Sequence, residues 1–468
     1  MFRLKDLEDI LESGPVSGGD ENLPRSASKV CRLLSERFAV TPHAEVTLGF
    51  VPGRVEVAGK HTDYAGGHTL VCAIDRGFLF VATPNSESRI RIVEDSLEFE
   101  ALEFPFTEYV EPAVGHWANY PMTVARRVAE NFSGETTLSG VDVAFSSNLP
   151  IGSGMSGSSA LMMMCFCAIA AVNGLNERKR FLENIHDGID LAMYLACAEN
   201  GQSFRNLSGG RGVGTFGGSE DHTAILNCRD GALSLYQYAP TVFKAEVAWP
   251  AKWALVLAFS GVRAEKTKEA MVQYNLASRR ASLSVTAYNR FCGKKLRNIQ
   301  EIDSDTRGVA ADPWLRELGA NIKKYRSLDL PGRIRQFLLE ERKTTPQAIH
   351  GLLWQDLDAF GKAVSESHRA SRRFLWNIAP EVDFLHTSAL ELGAAGASGF
   401  GAGFGGSIFA VVPSGRATEF ASAWQREYQK RYHEIAKQAA FFLTSPASGI
   451  RIWDRRGPSR FVDLFFQS

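Results

Sequence analysis

Between Leu149 and Leu161 the chain reads LPIGSGMSGSSAL. Gly152, Gly154 and Gly157 allow a backbone to come close to a ligand, while Ser153, Ser156, Ser158 and Ser159 supply hydroxyl donors. A strongly apolar run follows at once, so these donors stand at the start of a helix, where unpaired N–H groups and the helix dipole favour an anion. Such a cradle suits a triphosphate. The plain alternative is that the serines only cap a buried helix. GxxxxGK[ST] is absent, so the loop is not of the Walker type. GxGxxG occurs three times, at Gly152–Gly157, Gly212–Gly217 and Gly401–Gly406, which shows how little that pattern specifies. A dinucleotide site would need a second parallel strand ending in an acid about 20 residues further on. The stretch NGLNERKRFLENI after the first loop reads instead as continued helix.

The elements that must position this loop follow from periodicity. Val141–Ser146 is expected as a strand leading into the loop, and the apolar helix begins near Ser159. β-rich runs are expected at Ala44–Phe50 and Gly77–Ala82, with helices over Ala27–Arg37 and Ile189–Asn200. A glycine-rich connection spans Gly201–Gly218, a length that is usually functional or mobile. A strand at Trp253–Phe259 opens the second half, with long helices around Lys266–Ala287 and Asp356–Phe374 and a strand at Ser407–Val412.

With 468 residues and 45% apolar residues, the chain has material for two domains, 1–240 and 241–468. Lys plus Arg equals Asp plus Glu at 52 each, so no long-range field recommends a nucleic acid. Seven cysteines without paired CxxC spacing fit reduced thiols in a cytoplasmic protein. MFRLKDLEDILESG carries no apolar signal core, and the most apolar stretch, Ala160–Val172, falls short of the ~20 residues a membrane span needs.

PGRVEVAGKHTDYAGGHTLVCAI, from Pro52 to Ile74, resembles the first signature of galactokinases. LPIGSGMSGSSAL resembles their ATP loop, and GASGFGAGFGGSIFAVV, Gly396–Val412, their third signature. HWANY (116–120), ESHRAS (366–371) and APEVDFL (379–385) are similar to further galactokinase segments, so the resemblance to this sugar-kinase branch of the GHMP kinases spans nearly the whole chain. It implies an α+β architecture, with a ribosomal-S5-like N-terminal domain, a ferredoxin-like C-terminal domain and the active site in the cleft between them.

By the same resemblance the co-substrate is ATP with Mg2+, and the acceptor is a small-molecule sugar, galactose or an acidic relative, phosphorylated at its anomeric hydroxyl. Arg54 and Asp221 take the catalytic roles, Asp221 as base although Glu220 and His222 replace its usual neighbours. Lys60, His61, Asp63, Gly218 and Tyr274 fall at sugar-contact positions. Pro150, Gly152, Ser153, Gly154, Ser156, Gly157, Ser158 and Ser159 fall at nucleotide-contact positions, and Ser158 with Glu199 at the metal position. Galactokinases carry Glu where this chain has Lys60 and Asn where it has Glu56. Lys60 in the pocket would suit a uronic acid; paired with Glu56 it would only reshape it. The competing functions are a silent sugar and ATP sensor and a decarboxylase of the same fold.

Overall fold

The computed structural model describes residues 2–7, 23–96, 98–113, 115–134, 136–264, 268–322, 327–454 and 457–466. Strands β1 (Phe2–Arg3), β2 (Glu45–Ala58), β3 (His68–Asn85), β4 (Arg89–Glu94), β5 (Leu102–Pro105), β6 (Gly140–Ser147), β7 (Ala232–Gln237) and β8 (Val242–Ala248) share one mixed sheet. The long strand β3 pairs with β2 on one edge and with both β6 and β7 on the other. Its side chains alternate as strand geometry requires. Phe78, Phe80 and Ala82 enter the main core, whereas Leu79 and Val81 enter a smaller one with Val30 and Leu34 of helix α1 (Leu23–Phe38).

Helices α2 (Asn119–Phe132), α3 (Gly157–Asn173) and α4 (Gly188–Asn200) pack together against this sheet. From Ala160 to Ala170 every residue of α3 is buried, which is why the run MMMCFCAIA is apolar around its whole circumference. The helix stops at Gly174 (φ 54°) and gives way to short turns, so the expected continuous helix through NGLNERKRFLENI is broken there. No second parallel strand follows it among the described residues, and the Rossmann pattern has no structural counterpart.

The second sheet is antiparallel, in the order β10 (Gly396–Gly399), β11 (Ser407–Pro413), β9 (Trp253–Phe259), β12 (Ala440–Thr444). With helices α7 (Leu357–Ala370), α8 (Pro380–Glu391) and α9 (Ala417–Arg431) between its strands, this is the split βαβ arrangement of ferredoxin-like domains. Trp424, Leu385 and Ile408 lie in the core between sheet and helices. The chain then returns to the first sheet through β13 (Pro446–Ala447), β14 (Arg451–Asp454) and β15 (Gly457–Arg460). Residue 240, where the sequence suggests a division, lies between β7 and β8, both of which belong to the first sheet.

Two further helices bear on the site. Glu220–Asn227 forms α5, and Lys268–Cys292 forms α6; the expected start of α6 at Lys266 lies outside the described residues. The region from Ile299 to Leu338 adds a small helical cluster against α6 and Ala65. Five of the seven cysteines are buried. Among the described residues no helix is long and apolar enough to cross a membrane.

Candidate active site

The loop from β6 to α3 is built from left-handed residues. Gly152 and Gly154 hold φ at 66° and 75°, and Ser156 at 60°, a conformation that glycine adopts readily and serine only under constraint. Ser156 stands at the N-cap of α3 without capping it, and its buried Oγ has no hydrogen-bond partner. The first turn of α3 therefore keeps N–H groups that no side chain satisfies. Pro150, Gly152, Ser153, Gly154, Ser156, Gly157 and Ser158 all line a single cavity of about 640 Å³.

The third glycine stretch braces this loop from behind. A Cβ on Gly401 would sit 2.5 Å from the Gly154 carbonyl oxygen, so the two backbones approach as only glycine permits. Ser407 Oγ donates to the Ser153 carbonyl at 2.7 Å. Arg54 adds a third tie: its Nη1 donates to the Gly154 carbonyl at 2.7 Å.

The remaining donors of Arg54 meet α5. Nε and Nη2 lie 2.8 and 2.7 Å from Asp221 Oδ1, and Glu220 Oε1 is 3.4 Å from Nε. Burial opposes the guanidinium charge, but Asp221, Glu220 and Glu56 outweigh it and hold Arg54 firmly protonated. Glu220 carries the opposite imbalance: burial first, then the charge of Glu56, pushes its carboxyl well above the ordinary range despite Arg54.

Asp63 lies on the same wall, in reach of the backbone N–H groups of Tyr64 and Glu220. Burial, aided by the charges of Glu56 and Asp221, raises its carboxyl to about 7 against those two donors. Gly218 makes the fit possible, since a Cβ there would fall 2.2 Å from Asp63 Oδ2. His61 is 5% exposed and takes φ 56°; its Nδ1 is 2.8 Å from the Tyr64 hydroxyl and its Nε2 3.1 Å from Asn377 Nδ2. Burial lowers its pKa and keeps the ring neutral. Tyr274, from α6, completes the wall with its ring 6.2 Å from that of His61.

Glu199, near the end of α4, is buried beside the start of α3. The single hydroxyl hydrogen of Ser159 stands between Glu199 Oε2 at 3.1 Å and Asp221 Oδ2 at 3.4 Å. Among the described residues no group of three or more His, Cys, Asp or Glu is arranged to hold a metal alone. Trp117 of the HWANY segment, its ring 5.4 Å from that of Phe99, and Tyr120 line the same cavity.

Arg54, His61, Asp63, Gly218, Asp221, Tyr274 and Glu199 thus converge on one cavity with the glycine and serine loop. Two positions depart from expectation. Lys60 is 1% exposed and does not line the cavity; its Nζ donates to the carbonyls of Glu56 (3.1 Å) and Val57 (3.4 Å), 5.8 Å from the Phe409 ring centre. The left-handed His61 that follows marks a sharp turn, and the residue before it faces the interior. Nor does Lys60 bond the Glu56 carboxylate, which accepts instead from the N–H groups of His61 (3.0 Å) and Gly401 (3.2 Å). Ser159 is wholly buried and off the cavity wall, its hydroxyl used by the carboxylates behind the loop. Sequence reasoning missed Tyr64, Asn377 and Ser407. Tyr64 was visible beside Asp63, Ser407 directly after the last glycine, and Asn377 had no sequence signal.

The arrangement is an uncapped helix terminus beside an arginine–carboxylate pair, side-chain chemistry of the kind phosphoryl transfer requires. Three regions match models of known families: residues 35–84 the galactokinase galactose-binding signature, 119–196 the GHMP kinase N-terminal domain, and 348–430 the GHMP kinase C-terminal region. A galactokinase of Roseiflexus sp. (strain RS-1) is 27% identical over 440 residues, covering 90% of this chain and 96% of that protein. A galactokinase of Enterococcus faecalis is 28% identical over 419 residues, covering 86% and 94%. Among solved structures, Lactococcus lactis galactokinase complexed with galactose superposes with a TM-score of 0.69 at 20% identity, covering 90% of this chain and 99% of that one. L. major mevalonate kinase reaches 0.52 at 14% identity, over 86% and 96%. The chain is a galactokinase-like member of the GHMP kinase family.

Proposed function

We propose that this chain transfers the γ-phosphoryl group of ATP to the anomeric hydroxyl of a neutral sugar, galactose or a close relative. The observation that carries this reading is the shared cavity, which an uncapped helix terminus with the orphan Ser156 hydroxyl lines together with Arg54, Asp221 and Asp63. The galactokinase relatives and the galactose-binding signature support the same substrate class.

Phosphoryl transfer asks mainly for alignment and charge stabilisation. In this reading Asp221 accepts the proton of the sugar hydroxyl as its oxygen bonds to the γ-phosphorus and the bond to the β-phosphate oxygen breaks, releasing ADP. Arg54, protonated and fixed by Gly154 and Asp221, offsets the negative charge spread over the moving group. Asp63 and Tyr274 hold other hydroxyls of the sugar. Glu199 and the Ser158 hydroxyl fit a cation shared with phosphate oxygens, since the protein supplies few ligands and an acceptor sits beside the helix terminus. Such a cation, Mg2+ in the family, would be held by Glu199 and Ser158 and would neutralise phosphate charge.

The charges on the wall favour a neutral sugar over a uronic acid. The cavity is lined by the carboxyl groups of Glu56, Asp63, Glu220 and Asp221, of which burial holds Asp63 and Glu220 toward the neutral form. The Arg54 guanidinium is already ion-paired with Asp221 and Lys60 faces elsewhere, so the described lining offers a uronate no unpaired Lys or Arg. Initial rates of ADP release with a panel of neutral sugars and uronic acids test this; preference for an acid over every neutral sugar would refute it.

A further inference from the structure

His222 is a residue of the cavity wall to which the kinase reading gives no task. It follows Asp221 on α5, is 2% exposed, and lines the cavity. Neither of its ring nitrogens has a hydrogen-bond partner. A buried polar group in that condition destabilises the fold, so an apolar side chain would serve packing better. Nε2 stands 3.2 Å from Glu199 Oε2, without the geometry of a hydrogen bond. Two ligands at right angles on one metal, with bonds of about 2.1–2.2 Å, lie about 3.0–3.1 Å apart. The spacing is therefore that of neighbouring positions in a coordination sphere, with the Ser158 hydroxyl on the same wall.

We propose that His222 and Glu199 together ligate the nucleotide-borne cation, and that this mixed nitrogen and oxygen site takes a first-row transition-metal dication in preference to Mg2+. Mg2+ is held by oxygen ligands, whereas imidazole suits the borderline metals, and Mn2+ accepts both kinds. The inference rests on the reading of the cavity as a nucleotide site and specifies its cation. Nδ1 offers no competing hydrogen bond that would hold the ring in another role.

The probe is Mn2+, added to the full chain with a methylene-bridged ATP analogue and, to exclude purine nitrogen, with tripolyphosphate. Electron spin-echo spectroscopy of the wild type is expected to show coupling to one imidazole nitrogen with either anion, and His222→Gln is expected to lose it. Competition between Mn2+ and Mg2+ should show at least a tenfold loss of Mn2+ preference in that variant. Mn2+ bound with the nucleotide but without nitrogen coupling in the wild type overturns the inference and leaves the kinase reading standing. An unchanged metal preference in a folded His222→Gln also overturns it. No Mn2+ binding with either anion removes both. The wild-type spectrum decides even where the variant fails to fold, which circular dichroism reports.

Discussion

Asp221→Asn separates the proposed chemistry from binding. Asparagine keeps an oxygen for the Arg54 donors now 2.7 and 2.8 Å away, so the guanidinium and its bond to Gly154 should stay in place. What is lost is the proton acceptor. Positioned general bases contribute ~10²–10⁴ in rate, equivalent to about 2.7–5.4 kcal/mol at 1.36 kcal/mol per decade. Glu220, 3.4 Å from Arg54, is a poor replacement, because burial and the charge of Glu56 hold its carboxyl above the ordinary range. Replacing a charge-assisted bond to a buried arginine should also cost about 1–3 kcal/mol of stability. The assay is ADP release at saturating sugar and ATP, beside calorimetric ATP binding and thermal unfolding. The expected result is a fall of at least a hundredfold in kcat with ATP affinity changed less than about threefold. Turnover within tenfold of the wild type in a folded Asp221→Asn would refute Asp221 as the base.

Three other outcomes follow from the geometry. Gly218→Ala places a Cβ 2.2 Å from Asp63 Oδ2 and 2.9 Å from the Tyr64 nitrogen, so the sugar KM should rise about tenfold or more while the ATP KM stays; an unchanged sugar KM would contradict the assignment of Asp63. Asp63 titrates from 3.8 in the unfolded chain to about 7 in the fold, so the folded state binds more protons between those values. Its contribution to stability is full below 3.8 and lost as pH rises through about 7, so urea unfolding without ligand should weaken from pH 5 to 8 more in the wild type than in Asp63→Asn. Lys60→Met should leave the preference between neutral and acidic sugars unchanged, because Lys60 is off the cavity; it should cost ~3 kcal/mol of stability through the buried Glu340 that Lys60 faces, as thermal unfolding would measure.

The loop from Leu149 to Leu161 was legible because its chemistry is local: glycines for left-handed turns, serines at a helix start, an apolar run behind. The strand at Trp253–Phe259 was read to the residue, since an apolar run of 7 residues bounded by polar ones is too short for a buried helix. Lys60 was misread because side-chain direction depends on the backbone turn at His61, and a left-handed histidine leaves no mark in composition. Ser159 was misread for a related reason, since adjacent serines on a first helical turn point in directions 100° apart and only one faces the ligand. Asn377 reaches His61 across 316 positions, and the return of β14 and β15 to the first sheet is equally non-local, so neither could be read from any window of sequence.

Phosphorus NMR of a single incubation with ATP, a divalent cation and galactose bears most directly on the kinase assignment. Loss of the γ-phosphate signal should be matched by ADP and by a sugar phosphate resonance coupled to an anomeric proton. ATP left intact, or hydrolysed to inorganic phosphate with no sugar phosphate formed, would contradict it.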